Sequence, residues 1–417
     1  MSSGQVSEED TWRSTKRWFP DHPELGEAGH LPVEPFVSEE YCTRERKLLW
    51  PHVWLMVGRV EDIAKPGDYL IKEIPLNRLS LIVVRGRDDV VRTFHNVCPH
   101  RGSQILWECN GSTGRTNAFR CPYHAFTFDL TGKLKWVPDD ANFYELDRDR
   151  LSLVEVRTDI WAGFIFVHLA PNPRETLPEY LGEIGKRLAD FPFEKESYHY
   201  EYKAELDCNW KVLIAGFLEN YHTHALHKGG RSRACTPDNP YSHNETIELF
   251  DKHRLISLYR NPNMTPTKVG SIASVRYAKS RARGADSVAE TPGALLFKSI
   301  NPNTSFVIHN IFPNFQLNIA NGAWFYHQFW PLSANRVRWE SRMHYPKPKN
   351  ASERFFQEYA KVTSRDILLE DGNVSERSQM ALESGAIDSW TLQDEEVAIQ
   401  HFNKVVAHYV ERSSERI

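Results

Sequence analysis

The sequence predicts an α+β chain: a small all-β domain, followed by a domain in which an antiparallel sheet is flanked by helices. Three observations carry this. Short apolar runs separated by turn residues fill the chain from Trp54 to Leu169. Helical periodicity then appears at Leu177–Asp190, with apolar residues at Leu177, Leu181, Ile184 and Leu188. Beyond it strands and helices are mixed, and the tail from Ala351 to about Val410 is mainly helical. A length of 417 residues suits two domains, and 41% hydrophobic residues supply their cores.

Taken in order, residues 1–38 form a polar, Pro-containing arm, residues 39–172 the β domain and residues 173–417 the mixed domain. Glu39–His52 predicts a short helix leading into a strand at Trp54–Arg59. Further strands are expected at Tyr69–Ile74, Leu79–Arg85, Val90–His95, Ala118–Cys121, Ala125–Asp129 and Gly163–His168. Turns at Lys65-Pro66-Gly67-Asp68, Asn110-Gly111 and Thr131-Gly132 separate several of them. Pro171-Asn172-Pro173 marks the domain boundary. After it come a strand at Tyr198–Glu205, a helical stretch at Trp210–His227 and several strands between Ala294 and Tyr345.

A net charge of −4 with both signs interspersed points to neither nucleic acid nor an anionic membrane. No apolar run approaches the length of a membrane span. The start, MSSGQVSEED, lacks the basic and apolar segments of a secretory signal, so a cytoplasmic location is expected. Six scattered cysteines do not make a disulfide framework. Cys42, Cys208 and Cys235 read as buried thiols.

Cys98 and Cys121 differ. Each is followed by a proline and a histidine, as Cys98-Pro-His100 and Cys121-Pro-Tyr-His124. Two thiolates and two imidazoles can hold one structural zinc, or an iron–sulfur cluster with both Cys on one iron and both His on the other. Spacing leaves both open.

A second group lies at Glu219-Asn220-Tyr221-His222-Thr223-His224-Ala225-Leu226-His227. Two His and one carboxylate on one face of a ferrous ion leave positions open for O₂. Three imidazoles compete here, and spacing does not choose between them. On a regular helix, residues five apart point about 140° away from each other. His222 and His227 therefore meet only if the helix ends or distorts, which Gly229-Gly230 makes credible.

The strings C-P-H-R-G (98–102) and C-P-Y-H-A-F (121–126) resemble the two cluster loops of Rieske proteins. N-W-K (209–211) followed by E-x-Y-H-x-x-x-x-H (219–227) resembles the iron segment of Rieske non-haem iron oxygenase α subunits, the aromatic ring-hydroxylating dioxygenase family. E-D-x-x-x-x-E-x-x-Q (370–379) resembles that family's helix for the third ligand. The resemblance implies that Cys98, His100, Cys121 and His124 bind a [2Fe–2S] cluster, and that His222, His227 and Asp371 bind a mononuclear Fe(II). His224 is then a neighbour. Glu219 becomes the carboxylate that passes electrons between subunits, from His124 of an adjacent copy to His222.

The family also implies O₂ as co-substrate, NAD(P)H acting through a separate reductase and possibly a ferredoxin, and a homotrimer. The substrate expected is a small aromatic compound. A monooxygenase acting on a quaternary ammonium compound, or removing N- or O-methyl groups, is the alternative, and an electron carrier or zinc protein the non-enzymatic one. Three departures stand out. The interval between the Cys–His pairs is long at Glu108–Thr116, where Cys109 reads as a bystander. Ala215-Gly216 replaces the frequent Glu-Asn, and position 219 is Glu, as in members that oxidise quaternary ammonium compounds.

Overall fold

A computed structural model describes residues 17–27, 29–227, 235, 239–259, 268–273, 304–320 and 323–411. Residues 1–16 of the expected arm, Gly229-Gly230 and the apolar run Ala294–Phe297 lie outside the described residues. The chain divides into two compact units, residues 44–194 and residues 1–43 with 195–417.

In the first unit, β-branched and aromatic runs form a seven-stranded antiparallel sheet. Its order is Trp54–Arg59, Phe164–His168, Glu155–Trp161, Val91–His95, Leu79–Arg85, Asp68–Ile74 and Thr113–Arg115. A three-stranded sheet of Phe119–Arg120, Thr127–Phe128 and Leu134–Trp136 completes it. Tyr69, Ile71, Ile82, Val84 and Phe94 pack with Phe119, Phe126, Phe128 and Leu134 in one core, and Cys98 and Cys121 are buried in it. The unit continues past the Pro171-Asn172-Pro173 turn to Glu194. The reason is the helix Leu177–Leu188, started by a Thr176/Glu179 capping box and buried along Leu177, Leu181, Ile184 and Leu188. It packs on the sheet, where the Trp161 indole donates to the Gly185 carbonyl at 3.0 Å.

The second unit has its own seven-stranded antiparallel sheet. The order is Tyr198–Leu206, Arg336–Tyr345, Ala323–Ser333, Phe315–Ala320, Thr304–Ile311, Arg254–Tyr259 and Asn244–Leu249. The 32-residue helix Ala351–Leu382 runs along the first strand, which donates from Tyr200 to Glu358 (2.9 Å) and from Tyr202 to the Lys361 carbonyl (3.2 Å). The helix Val397–Val410 closes the C-terminal side, burying Phe402, Val406 and Tyr409 among its apolar residues. The N-terminal segment joins this unit: His30–Pro32 pairs with Ser389–Thr391, and Phe36 stacks on Trp390 at 4.4 Å.

The stretch Trp210–His227 departs from the continuous helix expected there. It is helical only over Trp210–Ala215 and again for one turn at Thr223–Leu226. Bonds from Phe217 N to Ile214 O (2.8 Å) and Leu218 N to Ala215 O (3.0 Å) tighten the first helix to its end. Among the described residues no helix is long and apolar enough to cross a membrane.

Candidate metal centres

The two Cys–His loops share one backbone pattern. Cys98 N donates to Ser103 O (2.8 Å) and Gly102 N to Cys98 O (2.9 Å); Cys121 N donates to Phe126 O (2.8 Å) and Ala125 N to Cys121 O (2.9 Å). In both, the residue four after the cysteine has positive φ, +75° at Gly102 and +60° at Ala125. Each loop thereby buries its cysteine and projects its histidine.

The imidazoles of His100 and His124 lie 4.6 Å apart, and Phe126 stacks on His100 at 4.6 Å. The buried Phe126 covers His100, and the half-exposed Tyr123 packs on His124 at 3.7 Å. Burial, followed by the nearby Cys121, pushes the Cys98 thiol up. Burial and then His124 push His100 down, which keeps it neutral as a ligand must be. The Nδ1 atom of His100 is buried without a hydrogen-bond partner, as a donor atom reserved for a metal would be.

Zinc bonds of about 2.0–2.3 Å put tetrahedral ligands within about 4 Å of one another. Among the described residues only His222, His227 and Asp371 bring three such ligand atoms within 4.8 Å. Two buried thiols beside two imidazoles 4.6 Å apart match the ligand division of a two-iron cluster. Cys109 is exposed, in a loop that the Tyr69–Glu108 and Gly111–Ile71 hydrogen bonds fasten to the strand Asp68–Ile74.

In the second unit the broken helix does what the spacing required. His222 stands at the start of the Thr223–Leu226 turn, and His227 leaves it with φ −88° and ψ 60°. The Nε2 atoms of His222 and His227 lie 3.7 and 3.2 Å from Asp371 Oδ1. Both Nδ1 atoms are held by carboxylates, His222 by Glu219 at 2.5 Å and His227 by Glu370 at 2.9 Å. A carboxylate only accepts, so each Nδ1 carries the proton and each Nε2 is free to ligate. Burial lowers the pKa of His222, but Glu219 and then Asp371 outweigh it, and the net shift is upward. For His227, Asp371 and Glu370 likewise overcome burial. His224 is exposed and bonds the Tyr221 carbonyl, outside the group.

The remaining motif residues hold these pieces in register. Asn209 caps its helix through Lys211 N (2.9 Å) and donates its own N–H to Gln379 at 3.0 Å, while Asp207 N donates to Glu376 at 3.0 Å. Glu370 carries no sequence signal beyond its adjacency to Asp371. A cavity of about 430 Å³ opens beside the site and is lined by Glu219, His222, Asp371, Trp390 and Glu396, with Ala215 and Gly216 on its wall. Burial, with the Glu219 charge behind it, pushes Glu396 up to about 7.

A β-sheet unit with a Cys–His cradle and a unit with a 2-His-1-carboxylate face offer ligand sets suited to two different iron centres. Residues 193–412 match the ring hydroxylating alpha subunit (catalytic domain) family, and residues 53–155 match the Rieske [2Fe-2S] domain. The chain belongs to the ring-hydroxylating α-subunit family, whose cofactors are a [2Fe–2S] cluster and a non-haem iron.

Among its relatives is the carnitine monooxygenase oxygenase subunit of Escherichia coli (strain K12), 32% identical over 49% of this chain and 53% of that protein. The glycine betaine monooxygenase oxygenase subunit of Chromohalobacter salexigens is 31% identical over 48% and 43%. The benzene 1,2-dioxygenase subunit alpha of Pseudomonas putida is 30% identical over 47% and 44%. The chain spans about half the length of the curated relatives it matches. A quaternary ammonium Rieske monooxygenase in complex with L-carnitine shares the fold, with a TM-score of 0.71 at 20% identity over 97% of this chain and 99% of that one. So does naphthalene 1,2-dioxygenase from Rhodococcus sp., with 0.71 at 21% over 92% and 95%.

Proposed function

We propose that this chain is the terminal oxygenase of a Rieske non-haem iron system, with Cys98, His100, Cys121 and His124 holding the cluster and His222, His227 and Asp371 the iron. The observation that carries the reading is the convergence of those last three within 4.8 Å, each His oriented through Nδ1 by its own carboxylate. When bound, the cluster supplies single electrons and the iron supplies O₂ activation. The protein's part is to fix three ligand atoms on one side and leave the other open. Glu370 holds the His227 ring, and Glu219 holds that of His222 while lining the cavity. On this reading Glu219 accepts a second hydrogen bond from His124 of an adjacent copy, in a homotrimer. An NAD(P)H-dependent reductase, directly or through a ferredoxin, is the electron donor, in the cytoplasm.

Of the two substrate classes, a quaternary ammonium compound is favoured over an aromatic one. Glu219 supports this, as do the carnitine and glycine betaine monooxygenases among the relatives. The aromatic reading draws on the benzene dioxygenase relative. Purified protein is expected to contain three irons per chain, and Glu219→Gln to slow single-turnover oxidation of the reduced cluster without loss of metal. With a surrogate reductase, L-carnitine and glycine betaine should be consumed while benzene and naphthalene are not; the opposite pattern would transfer the substrate to the aromatic class.

A further inference from the structure

The segment from Gly216 to His222 carries the Glu219 carboxylate, yet no helical ladder fixes it. Something else must set its path, because a hydrogen bond between Glu219 and His222 is only as well aimed as the backbone beneath it. Asn220, one of the two residues between them, is buried. Its amide nitrogen donates to Asn244 Oδ1 at 2.5 Å. Asn244 in turn donates to Glu395 Oε2 twice, from its amide at 3.2 Å and from its backbone N at 3.0 Å. The other oxygen of Glu395 lies 2.9 Å from His243 Nδ1. The Asn220 carbonyl meanwhile accepts from Thr223 Oγ1 (2.8 Å) and Thr223 N (3.1 Å), which ties the same residue to the His222–His227 turn.

This chain of bonds has one direction. A carboxylate can only accept, so Glu395 draws the NH₂ of Asn244 toward itself and turns its oxygen to Asn220. Asn220 must then present its own NH₂. Three elements are joined: the sheet edge at Asn244, the turn before the last helix at Glu395 and the segment between the two site residues. Glu395 and Glu396 divide the work of that turn, since Glu395 faces this network and Glu396 lines the cavity.

We propose that Asn244 and Glu395 are positioning residues, which through Asn220 fix the turn that aims the Glu219 carboxylate at His222. This rests on the oxygenase reading above. In the full chain with both metals loaded, Asn244→Leu or Asn220→Ala should retain three irons and the wild-type EPR of the reduced cluster. The EPR of the ferrous site treated with nitric oxide should change, and single-turnover oxidation of the cluster should slow on the order of tenfold. Because both act through one bond, the double variant should be no slower than the slower single. Glu395→Gln, which keeps an acceptor for Asn244, should recover most of what Glu395→Leu loses.

Should Asn244→Leu not fold, Asn220→Ala, which leaves Asn244 and Glu395 joined, decides the matter. A wild-type nitric oxide signal and rate in folded Asn220→Ala, or effects that multiply in the double variant, would overturn the inference. Glu219→Gln in the same assay separates the two readings. A slow Glu219→Gln beside wild-type asparagine variants refutes only the positioning role, whereas a wild-type Glu219→Gln refutes the oxygenase reading of Glu219 on which it rests.

Discussion

The two candidate metal centres hold their histidines by opposite means. In the cluster loops the backbone does the holding, through a pair of main-chain bonds repeated in each loop and a positive-φ residue at the same place. In the mononuclear site the backbone is irregular, and carboxylates hold the rings, one of them 143 residues away in sequence. A cradle made of backbone tolerates most side-chain changes that respect its turns. One made of side chains depends on each partner and on whatever fixes that partner.

The largest expected effect tests the mononuclear side directly. His227→Ala or Asp371→Ala should lower iron from three to two per chain and abolish oxygenation, with the cluster EPR unchanged. Loss of cluster and iron together would break the separation of the two regions. Next, Glu370→Gln should leave the ligands intact but release iron to a chelator on the order of tenfold to a hundredfold more readily. The cluster loops contain no counterpart to that carboxylate.

A smaller effect reads out the backbone cradle. Nothing lies within 4 Å of where a Cβ would stand on Gly102, so Gly102→Ala meets only the cost of its φ of +75°. That cost is about 1 kcal/mol, visible as a lower melting temperature, while Ala125→Gly should lose little or gain. Equal losses in both would mean that the shared φ sign does not matter. The smallest expected effect is none: His224→Ala should keep both metals and their spectra.

The difference between the regions also explains what could be read in advance. Cys98, His100, Cys121 and His124 announce themselves because each loop is local, with its proline and its small or glycine turn in a few consecutive residues. Strands such as Trp54–Arg59 and Leu79–Arg85 appear where short apolar runs and turn residues place them, for the same reason. His222 and His227 were ambiguous on spacing, since the choice between three imidazoles depends on where a helix breaks. That break lies in the buried polar contacts of Glu219 and Asn220, which no helical period encodes. Glu370, Asn244 and Glu395 stayed silent because their partners come from distant parts of the chain. The strands Asn244–Leu249 and Arg254–Tyr259 were missed as well; Glu245, Arg254 and Ser257 are buried polar residues that blur the alternation.

Glu370 and Asp371 are consecutive on a helix, so their side chains diverge by about 100°. One faces the metal position and the other the ring of His227. Ligation and ring orientation are thus two readings of a single dial, the rotation of that helix about its axis. The helix is about 48 Å long at 1.5 Å per residue, and its far end is clamped by Glu353 to Lys349 N and by Gln357 to the Pro346 carbonyl. A few degrees of twist admitted at that clamp would turn Glu370 and Asp371 together, so sequence drift far along the helix has a mechanical route to the geometry of the candidate iron site.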